Sequence, residues 1–91
     1  MKFEWNPDKA LINLRKHNIS FQEATIVFDD LLSVTFPDPD HSIRESRHVI
    51  IGMSGLGELL VVSHTDRESH IRIISARRAT RQERRFYEEG N

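Results

Sequence analysis

Six arginines fall between residues 72 and 85, directly after the start of an apolar, strand-like segment. The chain carries a formal net charge of −1 and contains 13 Lys and Arg residues, so this stretch holds nearly half of its basic side chains. A guanidinium group is a planar fork of donors that pairs with two phosphate oxygens at once. The cluster therefore indicates a phosphate site, and the simpler alternative is a solvated helix face. Its members are Arg72, Arg77, Arg78, Arg81, Arg84 and Arg85.

The predicted elements give each arginine a different setting. Arg72 lies inside an apolar strand, where a charged side chain must face solvent or pair with an acid such as Glu58. Arg77 and Arg78 precede the N-cap of the last predicted helix. Their guanidinium groups could gather there beside backbone N–H donors that favour an anion. Bidentate binding of a phosphate suits such a site.

The last predicted helix carries three further arginines. They could form exposed ion pairs with glutamates of the same helix, each worth about a few tenths of a kcal/mol. In the alternative interpretation, Arg81 and Arg84 extend the phosphate site. The helix contains Arg81, Arg84 and Arg85, with Glu83, Glu88 and Glu89 as possible partners.

His64 ends the predicted middle strand and is the histidine best placed to assist chemistry. It could lie beside Arg72 or Arg77 across a strand pair, and an ordinary imidazole pKa of about 6.5 suits proton transfer at neutral pH. The alternative is a structural strand histidine. The chain has 5 histidines, and their scattered positions lack the spacing of metal ligands, so no metal is expected.

The composition excludes several classes of function. The chain has no cysteine, which removes thiolate nucleophiles, thiolate metal sites and disulfides and favours a reducing, cytoplasmic setting. Gly-rich phosphate loops and the GxSxG motif are missing, so no cofactor is expected and most hydrolase classes lose support. With 91 residues, the chain is expected to form one domain over 1–91. The sequence shows neither the apolar region of a signal peptide nor an apolar segment of about 20 residues, so no contact with a membrane is expected.

Helix signals dominate the first third of the chain. After a short alternating strand at 2–5, Asn6 and Pro7 are typical of a helix start. The first helix should bury Ala10, Leu11 and Leu14 and end at 17–18. A second helix follows Ser20 and presents apolar residues at helical spacing up to about residue 29. These apolar residues are Phe21, Ala24, Val27 and Phe28.

Strand signals follow from residue 31. The segments LSVTF, RHVIIGMS, ELLVVSHT and HIRIISAR are separated by short turns, and the last three predict an antiparallel meander. Thr80 and Glu83 form a capping box for a last helix that runs to 87 or 88, with Phe86 as its apolar anchor. The fold class is therefore α+β, an antiparallel sheet with two N-terminal helices and one C-terminal helix packed on it.

Taken in order, FEWNPDKALINLRKHNISFQEATIVFDD, RHVIIGMS, LLVVSHTDR and RIISARRATRQERRFYE resemble the BrnT family of type II toxins over almost the whole chain. The opening pattern and the IISAR close carry the resemblance. It implies a RelE-like fold, a ribonuclease that arrests translation, and a BrnA-type antitoxin with a ribbon-helix-helix part that binds DNA, so that this chain would meet DNA only through the complex. The opening residues are Trp5, Asn6, Lys9, Asn13, Lys16 and His17.

The resemblance also marks residues of the candidate site. Arg77 matches the arginine of IISAR, and Arg47 precedes the IG strand. The closing motif continues through Arg78, Thr80, Glu83 and Arg84.

Metal-independent RNA cleavage uses the 2′-OH of the substrate as nucleophile, so the protein supplies proton transfer and stabilises the phosphorane. We expect Arg77, with Arg72 or Arg78, to contact the phosphate and His64 to act as base or acid. The rival hypothesis is a module that binds nucleic acid or an acidic partner without cutting. A third is a purely structural interaction domain.

Overall fold

The computed structural model of the protein describes residues 1–38 and 46–90, and the predicted turn residues 39 and 40 lie outside them. The element order is the predicted β-α-α-β-β-β-β-α, which confirms the α+β class. The helices are α1 (Pro7–His17), α2 (Phe21–Ile26) and α3 (Arg81–Glu89), with a 3₁₀ turn at Val27–Asp29. The strands are β1 (Lys2–Glu4), β2 (Val34–Pro37), β3 (Arg47–Met53), β4 (Leu59–Arg67) and β5 (His70–Arg78).

The predicted caps fix the ends of α1. The Asn6 Oδ1 atom accepts from the backbone N–H groups of Asp8 at 2.8 Å and Lys9 at 3.2 Å, which satisfies donors that have no partner inside the helix. At the other end, Asn18 adopts a left-handed conformation with φ 58, and its N–H donates to the Leu14 carbonyl. The sequence therefore predicted both helix ends correctly.

The buried face of α1 is not the predicted one. Leu11 and Leu14 are 48% and 43% exposed, whereas Asn13 is only 6% exposed. The Asn13 amide donates to the Ala76 carbonyl at 2.9 Å and accepts from the Ala76 N–H at 3.1 Å. An amide can do both because it carries a donor and an acceptor. The polar contact turns α1 so that the two leucines face outward.

The five strands form one sheet in the order β1-β5-β4-β3-β2. The strands from β2 to β5 pair antiparallel, which confirms the meander. β1 differs from the predicted all-antiparallel sheet, because it lies parallel to β5 and pairs Lys2 with His70. β1 ends at Glu4, opposite Arg72. Beyond this point β5 still pairs with β4 but has no neighbouring strand on its other side. Asn13 of α1 pairs with that unaccompanied part.

The two sides of the sheet carry separate apolar clusters. On the first side, α1, α2 and the segments that join them cover Ile50, Leu60 and Val62, together with Ile73. On the second side, α3 covers Ile51, Leu59 and Val61. Successive side chains of a strand point to opposite faces except at a β-bulge, so this division assigns most strand residues to a side. We call the second side, which includes Ser63, Thr65 and Arg72, the open face.

Tyr87, rather than the predicted Phe86, anchors α3. Tyr87 is 9% exposed and Phe86 is 50% exposed. The Tyr87 hydroxyl donates to the Asp30 carboxylate at 2.6 Å, and Asp30 also accepts from the Met53 N–H at 2.8 Å. Phe86 instead packs edge-on against Phe36 with ring centroids 5.8 Å apart. One tyrosine thus joins α3 to the end of α2 and to β3.

Candidate active site

A row of polar side chains crosses the open face. Arg47 pairs with Thr65, Thr65 pairs with Arg72, and Arg72 pairs with Glu4, so one residue from each of four strands lies in the row. Neighbouring strands lie about 4.8 Å apart, which puts the Cα atoms of Arg47 and Arg72 roughly 10 Å apart. Two long guanidinium side chains at this separation can reach one phosphate group between them.

The helix α3 covers only part of the open face. Its Tyr87 packs in the cluster of Ile51 and Val61. The next row toward the candidate site contains Ser63, paired with Ser75, and both remain partly exposed. The open face therefore changes from apolar under α3 to polar at the arginine row.

Arg72 is the arginine of the cluster that lies in this row. Its side chain is 30% exposed, and its Nη1 atom lies 3.7 Å from Oε2 of Glu4. The predicted partner Glu58 was wrong, because the parallel pairing of β1 brings Glu4 beside Arg72. The long separation leaves the guanidinium hydrogens available to a phosphate.

Arg77 joins β5 to the first turn of α3. Its Nη1 and Nη2 atoms donate to the two carboxylate oxygens of Glu83 at 2.7 and 2.8 Å. Oε1 of Glu83 also accepts from the Thr80 N–H at 2.9 Å, which completes the predicted capping box. The hydrogen bonds from Arg77 lower the pKa of Glu83 to about 2. A carboxylate of the protein therefore occupies the position expected for a phosphate.

Arg78 extends to the other side of the sheet. Its Nη1 atom donates to the His17 carbonyl at 2.8 Å, at the C-terminal end of α1. Its Nε atom lies 2.9 Å from Oε2 of Glu58. Arg77 and Arg78 thus diverge, since neighbours on a strand face opposite ways. The predicted convergence of the two at the N-terminus of α3 is wrong.

His64 lies on the helical side of the sheet rather than beside Arg72 or Arg77. It pairs with Ile73, is 4% exposed, and packs edge-on against Phe28 with ring centroids 4.9 Å apart. Burial lowers its pKa, Asp66 opposes that shift, and His48 adds to it. The predicted placement was wrong because of strand alternation, and the β-bulge between Ser63 and His64 was not visible in the sequence.

The three arginines of α3 lie on its solvent side. All three are exposed, and Glu83, one of their predicted partners, is bound by Arg77 instead. These three arginines therefore form a charged strip beside the open face rather than part of the row that crosses it. The strip consists of Arg81, Arg84 and Arg85.

A family model described as the ribonuclease toxin BrnT of a type II toxin-antitoxin system matches residues 5–83. The chain belongs to the BrnT family. The crystal structure of the Brucella abortus ribonuclease toxin BrnT aligns with a TM-score of 0.70 and 26% identity, covering 89% of this chain and 99% of that one. A search among curated proteins gave no match. The family and the RelE-like α+β fold implied by the sequence resemblance agree with these matches.

Most of the BrnT motif residues hold the fold together. Trp5 packs edge-on against Phe21, with ring centroids 5.9 Å apart, and Asn6 caps α1. Asn13 pairs with the edge of β5. In the closing motif, Glu83 holds Arg77. In this BrnT-family chain these motif residues therefore make structural contacts.

Thr65 and Glu4 belong to the candidate site of this BrnT-family chain but were missed in the sequence. Thr65 is 4% exposed, and its Oγ1 atom has no hydrogen-bond partner in the described part of the chain. Buried hydroxyls normally have a partner, so this atom is a feature that a substrate could satisfy. The missing signal was the register between strands, which brings residues distant in sequence into one row.

Two further observations concern the described ranges of this BrnT-family chain. Among residues 1–38 and 46–90, no three His, Asp or Glu side chains come together as a metal-binding group. Within the same ranges, no helix has the length and apolar character needed to cross a bilayer.

Proposed function

We propose that this BrnT-family chain cleaves RNA on its open face without a metal ion, using the substrate's own 2′-OH as nucleophile. The observation that carries the proposal is the row in which Arg47 and Arg72 flank Thr65 beside Glu4. The family of ribonuclease toxins supports the reaction class. The row supplies cationic donors, a buried hydroxyl and a carboxylate, which are the groups that phosphate transesterification needs.

The charged groups of the row have proposed parts in the reaction. The guanidinium groups of Arg72 and Arg47 bind the non-bridging phosphate oxygens and stabilise the phosphorane. The Glu4 carboxylate accepts the 2′-OH proton as the 2′ oxygen bonds to phosphorus. The bond from phosphorus to the 5′ oxygen then breaks, and this oxygen takes a proton from solvent. The products are a 2′,3′-cyclic phosphate and a 5′-hydroxyl.

The other predicted site residues take supporting parts in this proposal. Arg77 and Arg78 position β5 through Glu83 and through the end of α1. His64 supports the sheet from the helical side, where it does not reach the row. Arg81 and Arg84 attract the RNA backbone from the exposed strip on α3, because clustered basic charge raises the local concentration of a polyanion.

The proposal extends to the cellular effect. Cleavage of RNA required for protein synthesis would inhibit translation in the cytoplasm, where that RNA is found. The antitoxin partner implied by the family is proposed to be of the BrnA type, with a ribbon-helix-helix part that contacts operator DNA. It would silence the toxin by covering the open face.

The test compares two RNA substrates that differ at one position. A labelled RNA and a copy with a 2′-deoxy nucleotide at the cut site are incubated with the protein, with and without a chelator. We expect cleavage of the first alone, products with 2′,3′-cyclic phosphate or 3′-phosphate ends, and no effect of the chelator. Cleavage of the 2′-deoxy copy, or a strict requirement for Mg²⁺, would contradict the mechanism.

The second candidate function is a binding module that holds RNA without cutting it. The exposed arginines of α3, Arg81, Arg84 and Arg85, favour it, because they can hold a phosphate backbone without supplying a proton acceptor. The same incubation separates the two functions. A mobility shift of intact RNA at saturating protein would support binding alone, whereas fragments support the ribonuclease.

A further inference from the structure

A basic groove separates α1 from the part of β5 that extends beyond β1. Its volume is about 200 Å³, and it is lined by Lys9, Ile12, Asn13 and Lys16 of α1 and by Ile74 and Ser75 of β5. The groove exists because β1 stops opposite Arg72, and α1 then approaches β5 through Asn13. It does not overlap the arginine row.

The two lysines lie on one face of the helix. Lys9 and Lys16 are separated by two helical turns, so their side chains project in nearly the same direction. At 1.5 Å per residue they lie about 10 Å apart along the helix axis. This distance matches roughly three stacked nucleotides at about 3.4 Å per phosphate.

Within the part of the chain that the structure describes, no acidic residue neutralises the charges in the groove. No Asp or Glu is among the residues that line it. Neither Lys9 nor Lys16 forms an ion pair within residues 1–38 and 46–90. Both side chains are exposed, and His17 adds a third basic side chain at the end of the helix. An anionic chain could therefore bind here without displacing an internal contact.

Ser75 is shared by the groove and the open face. Ser75 lines the groove, and it also pairs with Ser63 in the row next to Arg72. A strand of RNA that lies across Arg72 therefore reaches the groove by crossing the edge of β5 at Ser75. Asn13 already uses its amide on the backbone of Ala76, so it forms the floor rather than a contact for the ligand.

We propose that this groove binds the sugar-phosphate backbone of single-stranded RNA next to the nucleotides held by the arginine row. The proposal rests on the proposed function, because it assigns a second binding segment to the same substrate. Lys9 and Lys16 contact phosphates roughly three nucleotides apart and carry no sequence information. RNA of only a few nucleotides fills the row but does not reach the groove.

The test measures binding rather than cleavage. A 2′-O-methyl oligoribonucleotide of about 12 residues, which resists 2′-OH attack, is compared with a trimer of the same chemistry. Lys9→Ala/Lys16→Ala should weaken binding of the 12-mer about tenfold at low salt and leave the trimer unchanged. The slope of log K against log salt should fall by about 1.4, because each phosphate contact on a single strand contributes about 0.7.

Arg15→Ala is the matched control, since Arg15 is an exposed cation on the same helix that does not line the groove. Equal effects of Arg15→Ala and the double substitution would overturn the proposal, as would an equal loss with the trimer. Reduced affinity for the antitoxin with unchanged 12-mer binding would also overturn it and assign the groove to the protein partner. Because the probe is not cleaved, failure of the ribonuclease mechanism would appear in the 2′-deoxy experiment alone.

Discussion

Arg72 differs from its neighbours in the cluster by the weakness of its contact with the protein. Its separation of 3.7 Å from Glu4 contrasts with the bonds of 2.7 and 2.8 Å that Arg77 makes to Glu83. We expect Arg72→Ala to lower the rate of RNA cleavage by about 10² to 10³, the usual effect of removing one donor to a transition-state phosphate. Arg72→Lys should not restore the rate, because lysine lacks the planar fork.

The measurement is initial cleavage of a labelled RNA by variants whose denaturation curves match that of the parent chain. Arg85→Ala serves as control, because Arg85 is an exposed arginine on α3. A similar loss in the two alanine variants would show that general charge, rather than the arginine row, governs the rate.

The ion pair between Arg77 and Glu83 gives a prediction about stability rather than about the rate of cleavage. The pKa of Glu83 is about 2 in the folded protein against an ordinary 4.5, so the folded state binds fewer protons than the unfolded state between these values. The stabilisation is therefore complete above about pH 4.5 and is lost as the pH falls toward 2. At pH 7 the coupling energy should be about 1 kcal/mol, since the pair is partly solvated.

Urea denaturation at pH 7 and pH 3 checks this prediction. Glu83→Gln should reduce the free energy of unfolding at pH 7. It should also narrow the difference between the free energies of unfolding at pH 7 and pH 3. A double-mutant cycle with Arg77→Ala isolates the pair from its neighbours. A coupling energy that stays the same at pH 3 would contradict the assignment.

At the scale of elements, Asn13 provides the buried hydrogen bonds between α1 and β5. Asn13→Leu leaves the N–H and C=O of Ala76 without their partner, and each unsatisfied buried group costs about 1 to 3 kcal/mol. We expect a loss of about 2 to 5 kcal/mol in the free energy of unfolding. Hydrogen exchange at the Ala76 amide should accelerate.

Leu11→Ala is the control for this prediction, because Leu11 is 48% exposed in the structure although the sequence predicts it as buried. Its effect should be below about 0.5 kcal/mol, as is usual for surface positions. If Leu11→Ala lowered the free energy of unfolding more than Asn13→Leu, the result would support the predicted buried face of α1 instead.

The same helix shows what the sequence can and cannot predict. Local signals were sufficient for the ends of α1, because Asn6 and Asn18 act on backbone groups within four residues. Local signals did not predict the buried face of α1 or the residue that anchors α3. In both cases a polar side chain, Asn13 or Tyr87, reaches a partner far along the chain. Hydrophobic periodicity carries no information about such a partner.

The candidate site was only partly predictable for a related reason. Arginine content identified Arg72 and the family resemblance identified Arg47, but their common row depends on register across β3, β4 and β5. Register is set by turns and by the β-bulge beside His64. The alternation of side chains along one strand was therefore not enough to predict that His64 faces away from the site.

On the scale of the whole molecule, the near-neutral charge conceals an uneven distribution. The net charge is −1, yet the exposed strip on α3 lies beside the open face that carries Arg47 and Arg72. Complementary charge accelerates association and is screened by salt. An acidic antitoxin segment should therefore bind faster at low ionic strength.

We expect charge reversal at Arg81 and Arg85 to lower the association rate of the antitoxin by about tenfold at low salt, with little effect at 0.5 M salt. Both positions are exposed, so the fold should tolerate the change. Stopped-flow association against ionic strength gives the comparison, with Arg15→Glu on α1 as control. An antitoxin footprint confined to 20–38 would contradict this prediction.

The parallel pairing of Lys2 with His70 joins the first strand in chain order to the last one. We expect long-range pairing of this kind to form late in folding, because closing the long loop costs conformational entropy before the new contacts can stabilise the pair. Glu4 meets Arg72 only after that pairing, so the proposed catalytic row cannot exist in a nascent chain whose β5 is still inside the ribosome. If the row is the catalytic site, we expect the chain not to cleave RNA during its own synthesis, and this interval gives the antitoxin time to be present when the row is complete.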